Sequence, residues 1–210
     1  RDRDDARERV VREQRDAEPH ADRGAADIAV SAGELLSAEA LFDQVALNTT
    51  TATEQLNRLL GNLALSISSK QWDRARKVKS RIQRIGPASA LDQANLERRE
   101  ADYALRNGDA VTSAERAESA ANRYRAAGYG SAAAACIRVQ ADAAASQGEL
   151  RRALGLYQSA IDSHAKSGDW LGLARTIEHL AQLDHSRGYA SEAAELMELS
   201  RQLTMTGGGS

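Results

Sequence analysis

A forty-residue spacing of glycines constrains this chain more than any other feature of it. Gly108, Gly148 and Gly188 recur at that interval, and other columns keep the same offset. Ala94, Ala134 and Ala174 align, as do Ala101, Ala141 and Ala181. Ala120, Ala160 and Ser200 form a column of small residues, and Gly128 matches Gly168 in the later turn. Arg98 with Arg138, and Asp102 with Asp142, extend the register to charged positions. A fixed period of this size marks a stack of similar supersecondary units.

Each unit has room for two helices of about 16–18 residues, roughly 25 Å long at 1.5 Å per residue. The glycine closes the first helix, because it takes a positive φ without a Cβ clash. Asp109 and Glu149 follow it and suit the start of the second helix. The aligned alanines sit seven apart on one helical face, where a methyl lets two backbones approach closely. A lone helix pair cannot hide its apolar face, so each unit must stack on the next. The predicted fold class is therefore all-α, with units near 51–88, 89–129, 130–169 and 170–206.

The first of these units is less regular. Thr51-Ala52-Thr53-Glu54 reads as a capping box before a helix over 52–68. Lys70 stands where a glycine is expected, and Gly86-Pro87 stops a second helix near Ile85. Upstream, residues 22–47 show helical apolar spacing through Ile28, Leu35, Leu36, Leu41 and Val45, and read as a helix packed on the first pair. Residues 1–18 are mostly charged and read as a solvated arm. The chain opens at Arg1 without methionine, which fits a processed or a truncated product, and Gly207–Ser210 reads as an engineered flexible linker.

These units resemble tetratricopeptide repeats. The clearest match runs from Ser146 through Gly148-Glu149 to Ala160, where Gly148, Ala153, Tyr157 and Ala160 occupy the family's small and aromatic positions. Gly188, Ala193, Met197 and Ser200 match more loosely; Gly108, Ser113, Ala117 and Ala120 keep the small sizes. The resemblance covers about residues 51–205, with units longer than the family's usual thirty-four residues. It implies a right-handed α-solenoid of antiparallel helix pairs, with first helices lining a concave groove that receives a peptide, helix or protein. The groove positions carried over are Asn57; Asn95, Arg98, Arg99 and Asp102; Arg138 and Asp142; and Arg175, Glu178, His179, Gln182 and His185. Arg98–Asp102 and Arg138–Asp142 also stand four apart, so each pair has two readings: mutual neutralisation on a solvated face, or contact with a partner. The paired lysine and asparagine set with which one branch of the family clamps a C-terminal carboxylate is not reproduced.

Function classes narrow by exclusion. Charge nearly cancels, with 28 Lys+Arg against 30 Asp+Glu, and aromatics make up 4% of the chain. That balance argues against a nucleic-acid or anionic-lipid partner. The single cysteine, Cys136, is expected in the core, and His179 and His185 diverge around their helix rather than sharing a metal face. No glycine-rich phosphate loop or nucleophile elbow occurs, and no segment is apolar enough to span a bilayer. We expect no enzyme activity, cofactor or metal. Trp72, Trp170, Tyr124, Tyr129, Tyr157 and Tyr189 read as core wedges between units or as interface anchors. Leu196, Leu199 and Leu203 widen the apolar arc of the last helix. Either that helix is wedged and buries them, or they meet a partner or a second copy. Arginine outnumbers lysine in an alanine-rich chain, a composition that suggests a bacterial source. The expected role is a protein-binding scaffold or adaptor, tethered on the periplasmic side of a bacterial envelope. The alternative is a regulatory module cut from a larger cytoplasmic transcription regulator or signalling ATPase.

Overall fold

A computed structural model describes residues 51–87 and 89–207, which are helical throughout apart from short turns. The expectations for residues 1–50 lie outside the described residues. The chain divides into two compact units, one ending at residue 88 and one beginning at Ser89. The first contains α1 (Ala52–Ser68) and α2 (Trp72–Ile85). The second contains α3 (Ala90–Arg106), α4 (Ala110–Ala126), α5 (Gly130–Ser146), α6 (Leu150–Ser167), α7 (Trp170–Ser186) and α8 (Ala190–Gly207). The last helix ends on Gly207, the first residue of the terminal run read as a linker.

Local chemistry explains the boundaries. Thr51 accepts a hydrogen bond from the Glu54 amide while the Glu54 carboxylate accepts from the Thr51 amide, the reciprocal box expected there. Ser89, Asp109 and Asp169 cap α3, α4 and α7 through their side chains. Every helix end from α3 to α7 closes on a glycine with positive φ, at residues 108, 128, 148, 168 and 188. In each, the amide after the glycine reaches back to the helix: Asp109 to the Ala104 carbonyl, Tyr129 to Tyr124, Glu149 to Ala144, Asp169 to His164 and Tyr189 to Asp184. This double closure satisfies carbonyls that a helix end leaves unpaired. The turn therefore recurs every twenty residues. Forty is the period of the pair.

Lys70 closes α1 in the same way, with φ 56°, the only positive value outside glycine among the described residues. Its neighbour Gln71 donates to the Ser66 carbonyl as the other turns do.

The alanine columns are the core. Ala94, Ala134 and Ala174 are buried, as are Ala101, Ala141 and Ala181, and Ala120, Ala160 and Ser200. Ser200 donates to the Ala174 carbonyl at 2.9 Å, so the small column also lets a hydroxyl reach another helix's backbone. Within the second unit each helix packs on the next in sequence. No pair closes its own core. One cluster joins Ala94 of α3, Ala120 and Tyr124 of α4, and Ala133 and Cys136 of α5. Another joins Ala141 and Ala144 of α5 to Ala153 and Tyr157 of α6, with Leu180 and Leu183 of α7 against it. Helix α3 also touches α5, and α5 touches α7, whereas α4 and α6, and α6 and α8, share no contact.

Candidate functional site

The positions singled out on α3, α5 and α7 form a polar face beside these alanine seams. Cβ direction places residues three and four apart on one side of a helix. Its centre is Asp142 on α5. The Arg138 guanidinium, one turn earlier, donates to Asp142 Oδ2 at 3.0 Å. From α7, His179 Nδ1 lies 3.0 Å from Asp142 Oδ1, and the Tyr157 hydroxyl of α6 donates to that same oxygen. Arg138 Nη1 is 2.9 Å from His179 Nε2. The same guanidinium nitrogen is 3.2 Å from His179 Nδ1, so it lies against the ring rather than at the end of one nitrogen's lone pair.

Three helices are thus joined through one carboxylate. Burial opposes its ionisation, but the hydrogen bond and charge of His179, the Arg138 charge and the Tyr157 hydroxyl outweigh it and hold the Asp142 carboxyl below its ordinary pKa. Burial, and after it the adjacent Asp142 charge, pushes the Tyr157 phenol far up. The expected Arg138–Asp142 pair therefore exists and is extended to residues on two further helices.

On α3, Asn95 accepts from the Tyr124 hydroxyl of α4 at 2.7 Å. Asp102 lies 3.8 Å from Arg99. Arg98 is half-buried, and its charge lies close enough to Tyr124 and Cys136 to act on both. On α7, Arg175 and Glu178 are half-buried, whereas Gln182 and His185 are exposed. In the first unit, Asn57 is half-buried and its Oδ1 is enclosed without a hydrogen-bond partner.

Sequence reasoning missed three features. Glu97 of α3 is buried and accepts from Arg123 Nε of α4 at 3.1 Å and from Gln93 Nε2 at 2.7 Å. Asp169 serves as more than a cap: its Oδ1 accepts from the Gly172 amide at 2.8 Å, and its Oδ2 meets buried His164 at 2.9 Å and the Ser131 hydroxyl of α5. The hydrogen bond from His164, with those from Ser131 and Gly172, holds this carboxyl well down. Although serine, histidine and aspartate meet here, both side chains address the carboxylate and His164 itself is buried, so no general base is presented to the hydroxyl. The third feature is a basic row on α2 that the near-neutral total charge conceals.

Other expectations divide. Cys136 is buried, as expected, and burial pushes its thiol up to about 11, so the nucleophilic thiolate is scarce at neutral pH. Tyr124 and Tyr157 are core residues, but Tyr129 and Tyr189 are exposed and Trp170 is 45% exposed. The reason is position: these three follow a turn glycine by one or two residues, where the chain enters a helix from its solvent side. Tyr189 instead stacks under the Arg187 guanidinium, 4.8 Å from ring centre to carbon. On α8, Ala193 is buried, Leu196 and Leu203 are half-buried, and Met197 and Leu199 are each 44% exposed, so the helix does not bury its whole apolar arc.

Among the described residues no cluster of three or more His, Cys, Asp or Glu side chains is placed to hold a metal ion, and no helix is long and apolar enough to cross a membrane. No protein-family model, characterised protein or solved structure matches the chain.

Proposed function

We propose that this chain is a non-enzymatic scaffold of the tetratricopeptide type, binding a peptide, helix or protein on the face shared by α3, α5 and α7. In this reading the second unit is a right-handed superhelix of antiparallel pairs. The odd-numbered helices form its inner wall and the even-numbered ones its outer wall. The observation that carries the reading is the asymmetry of contacts: α3, α5 and α7 touch in succession, while α4, α6 and α8 do not touch one another. A stack curves towards the side on which its helices stay closest, and curvature of this kind yields extended concave binding surfaces.

The polar network supports a division of labour on that face. Arg138, Asp142 and His179 satisfy one another and hold α5 against α7. Gln182 and His185 remain exposed for contact further along α7. Half-buried, mutually paired groups give rigidity and register, and exposed neighbours give recognition.

The test is site-specific photocrosslinking in an extract of the native organism. A crosslinking amino acid at Gln182 or His185 is expected to capture the same partner, and one at Arg151, exposed on α6, is expected not to. Capture from Arg151 alone, or equally from all three positions, overturns the assignment of the binding face.

A further inference from the structure

The helix α2 carries a charge pattern found nowhere else among the described residues. Between residues 70 and 85 stand seven Lys and Arg against one acidic residue, Asp73, in a chain whose formal net charge is −2. Ala75, Val78 and Ile82 form the buried stripe. Alongside it run Arg74, Lys77, Arg81 and Arg84, three or four residues apart, a single row along about 15 Å of helix. Lys77, Arg81 and Arg84 are exposed and, among the described residues, pair with no carboxylate. The lone Asp73 pairs with Arg76, which lies off this row.

Like charges one turn apart repel and weaken a helix, so packing gives no reason for the row. It borders a cleft of about 500 Å³ between α1 and α2, with Leu59 and Val78 as apolar floor and Asn62 and Ser80 as polar wall.

We propose that this cleft docks an acidic, amphipathic protein segment. Its carboxylates, one helical turn apart, lie along Lys77, Arg81 and Arg84, and an apolar side chain between them reaches Leu59 and Val78. Charge complementarity and spacing carry the choice of occupant. Basic groups about 5 Å apart match carboxylates at i and i+3 or i+4. A phosphodiester chain has no group for the apolar floor, and among the described residues no aromatic side chain lines the cleft to stack a base. A bilayer takes apolar side chains that project outward beside basic ones, whereas Leu59 and Val78 lie at the base of the cleft and are met only by a side chain that enters it. The surface lies on α2 of the first unit and does not depend on the reading of α3, α5 and α7.

Fluorescence anisotropy of the full chain with a labelled repeating Glu-Glu-Leu peptide tests it. Binding is expected to be about tenfold tighter than to the Gln-Gln-Leu or Glu-Glu-Ser peptide, and to weaken as salt shortens the Debye length. The pair Arg81→Glu and Arg84→Glu is expected to lower affinity about tenfold or more, with circular dichroism and melting unchanged because both side chains are exposed. The milder pair Lys77→Gln and Arg84→Gln is expected to lower it about threefold, and supplies the answer if the reversal misfolds. Gln182→Glu with His185→Glu is expected to leave it unchanged. The proposal falls if Glu-Glu-Ser binds as well as Glu-Glu-Leu, or if oligo(dT) of matched length or phosphatidylserine vesicles bind as tightly. It falls also if both folded α2 variants retain parental affinity, or if the α7 variant is the one that loses it.

Discussion

Lys70 and Gly172 show how much a single residue decides here. Lys70 takes the left-handed backbone that glycine takes at five other turns, at about 1–2 kcal/mol for a residue with a Cβ. Lys70→Gly should therefore raise stability by about 0.5–1 kcal/mol, after allowing for the freer unfolded chain. Gly148→Ala should lower it by about 1–2 kcal/mol. Urea midpoints of the two variants on either side of the parent's would confirm this, and the reverse order would refute it. Gly172 is constrained by space instead. A Cβ there would collide with the Asp169 carboxylate and the buried His164 ring. Gly172→Ala should cost about 2–3 kcal/mol. Much of that should be absent when it is introduced into His164→Ala, a coupling that a double-mutant cycle measures.

At the scale of the element, helices are held by alanine seams and by shared carboxylates. Ala141 is fully buried among Ala144, Ala153 and Tyr157. Ala141→Leu should overfill that seam and cost about 1–3 kcal/mol, while Arg151→Lys on the exposed side of α6 should leave the melting temperature unchanged. Asp142 ties α5, α6 and α7 together, and its folded pKa lies below the unfolded value near 3.9. The sign follows from linkage: its contribution is complete above the unfolded value and is lost as pH falls through the folded one. Asp142→Asn should be less stable at neutral pH by about 1–3 kcal/mol, through the loss of a charged acceptor. It should also lose less stability than the parent between about pH 5 and pH 2. Denaturant titrations at the two pH values decide the matter. Parallel pH profiles would mean that Asp142 does not carry the acid sensitivity.

Across the second unit, contacts run from each helix to its neighbours, and the core clusters bridge successive pairs. Stability in such a stack accumulates through interfaces, so interior helices open last. Hydrogen exchange should be slowest in α5, which packs on α3, α4, α6 and α7, and fastest in α8, which has a neighbour on one side. Equal protection along the unit would indicate a single all-or-none core.

Among the described residues, the sequence by itself determined that the chain is helical, where the paired helices turn, and that the aligned alanines are buried. Those outcomes rest on local causes: a capping box at Thr51, glycines that admit positive φ, and alanines seven apart that leave space for another backbone. The tertiary structure alone decided which polar residues meet. Asp142 with Tyr157 and His179, Glu97 with Arg123, and Asp169 with Ser131 join side chains from different helices, and a spacing rule within one helix cannot anticipate them. It also left Trp170 and Leu199 in solvent, because exposure depends on what covers a residue from elsewhere in the chain. The basic row of α2 was present in the sequence throughout. A total charge averages over helices, and the row gained meaning only when folding set it along one side of a cleft.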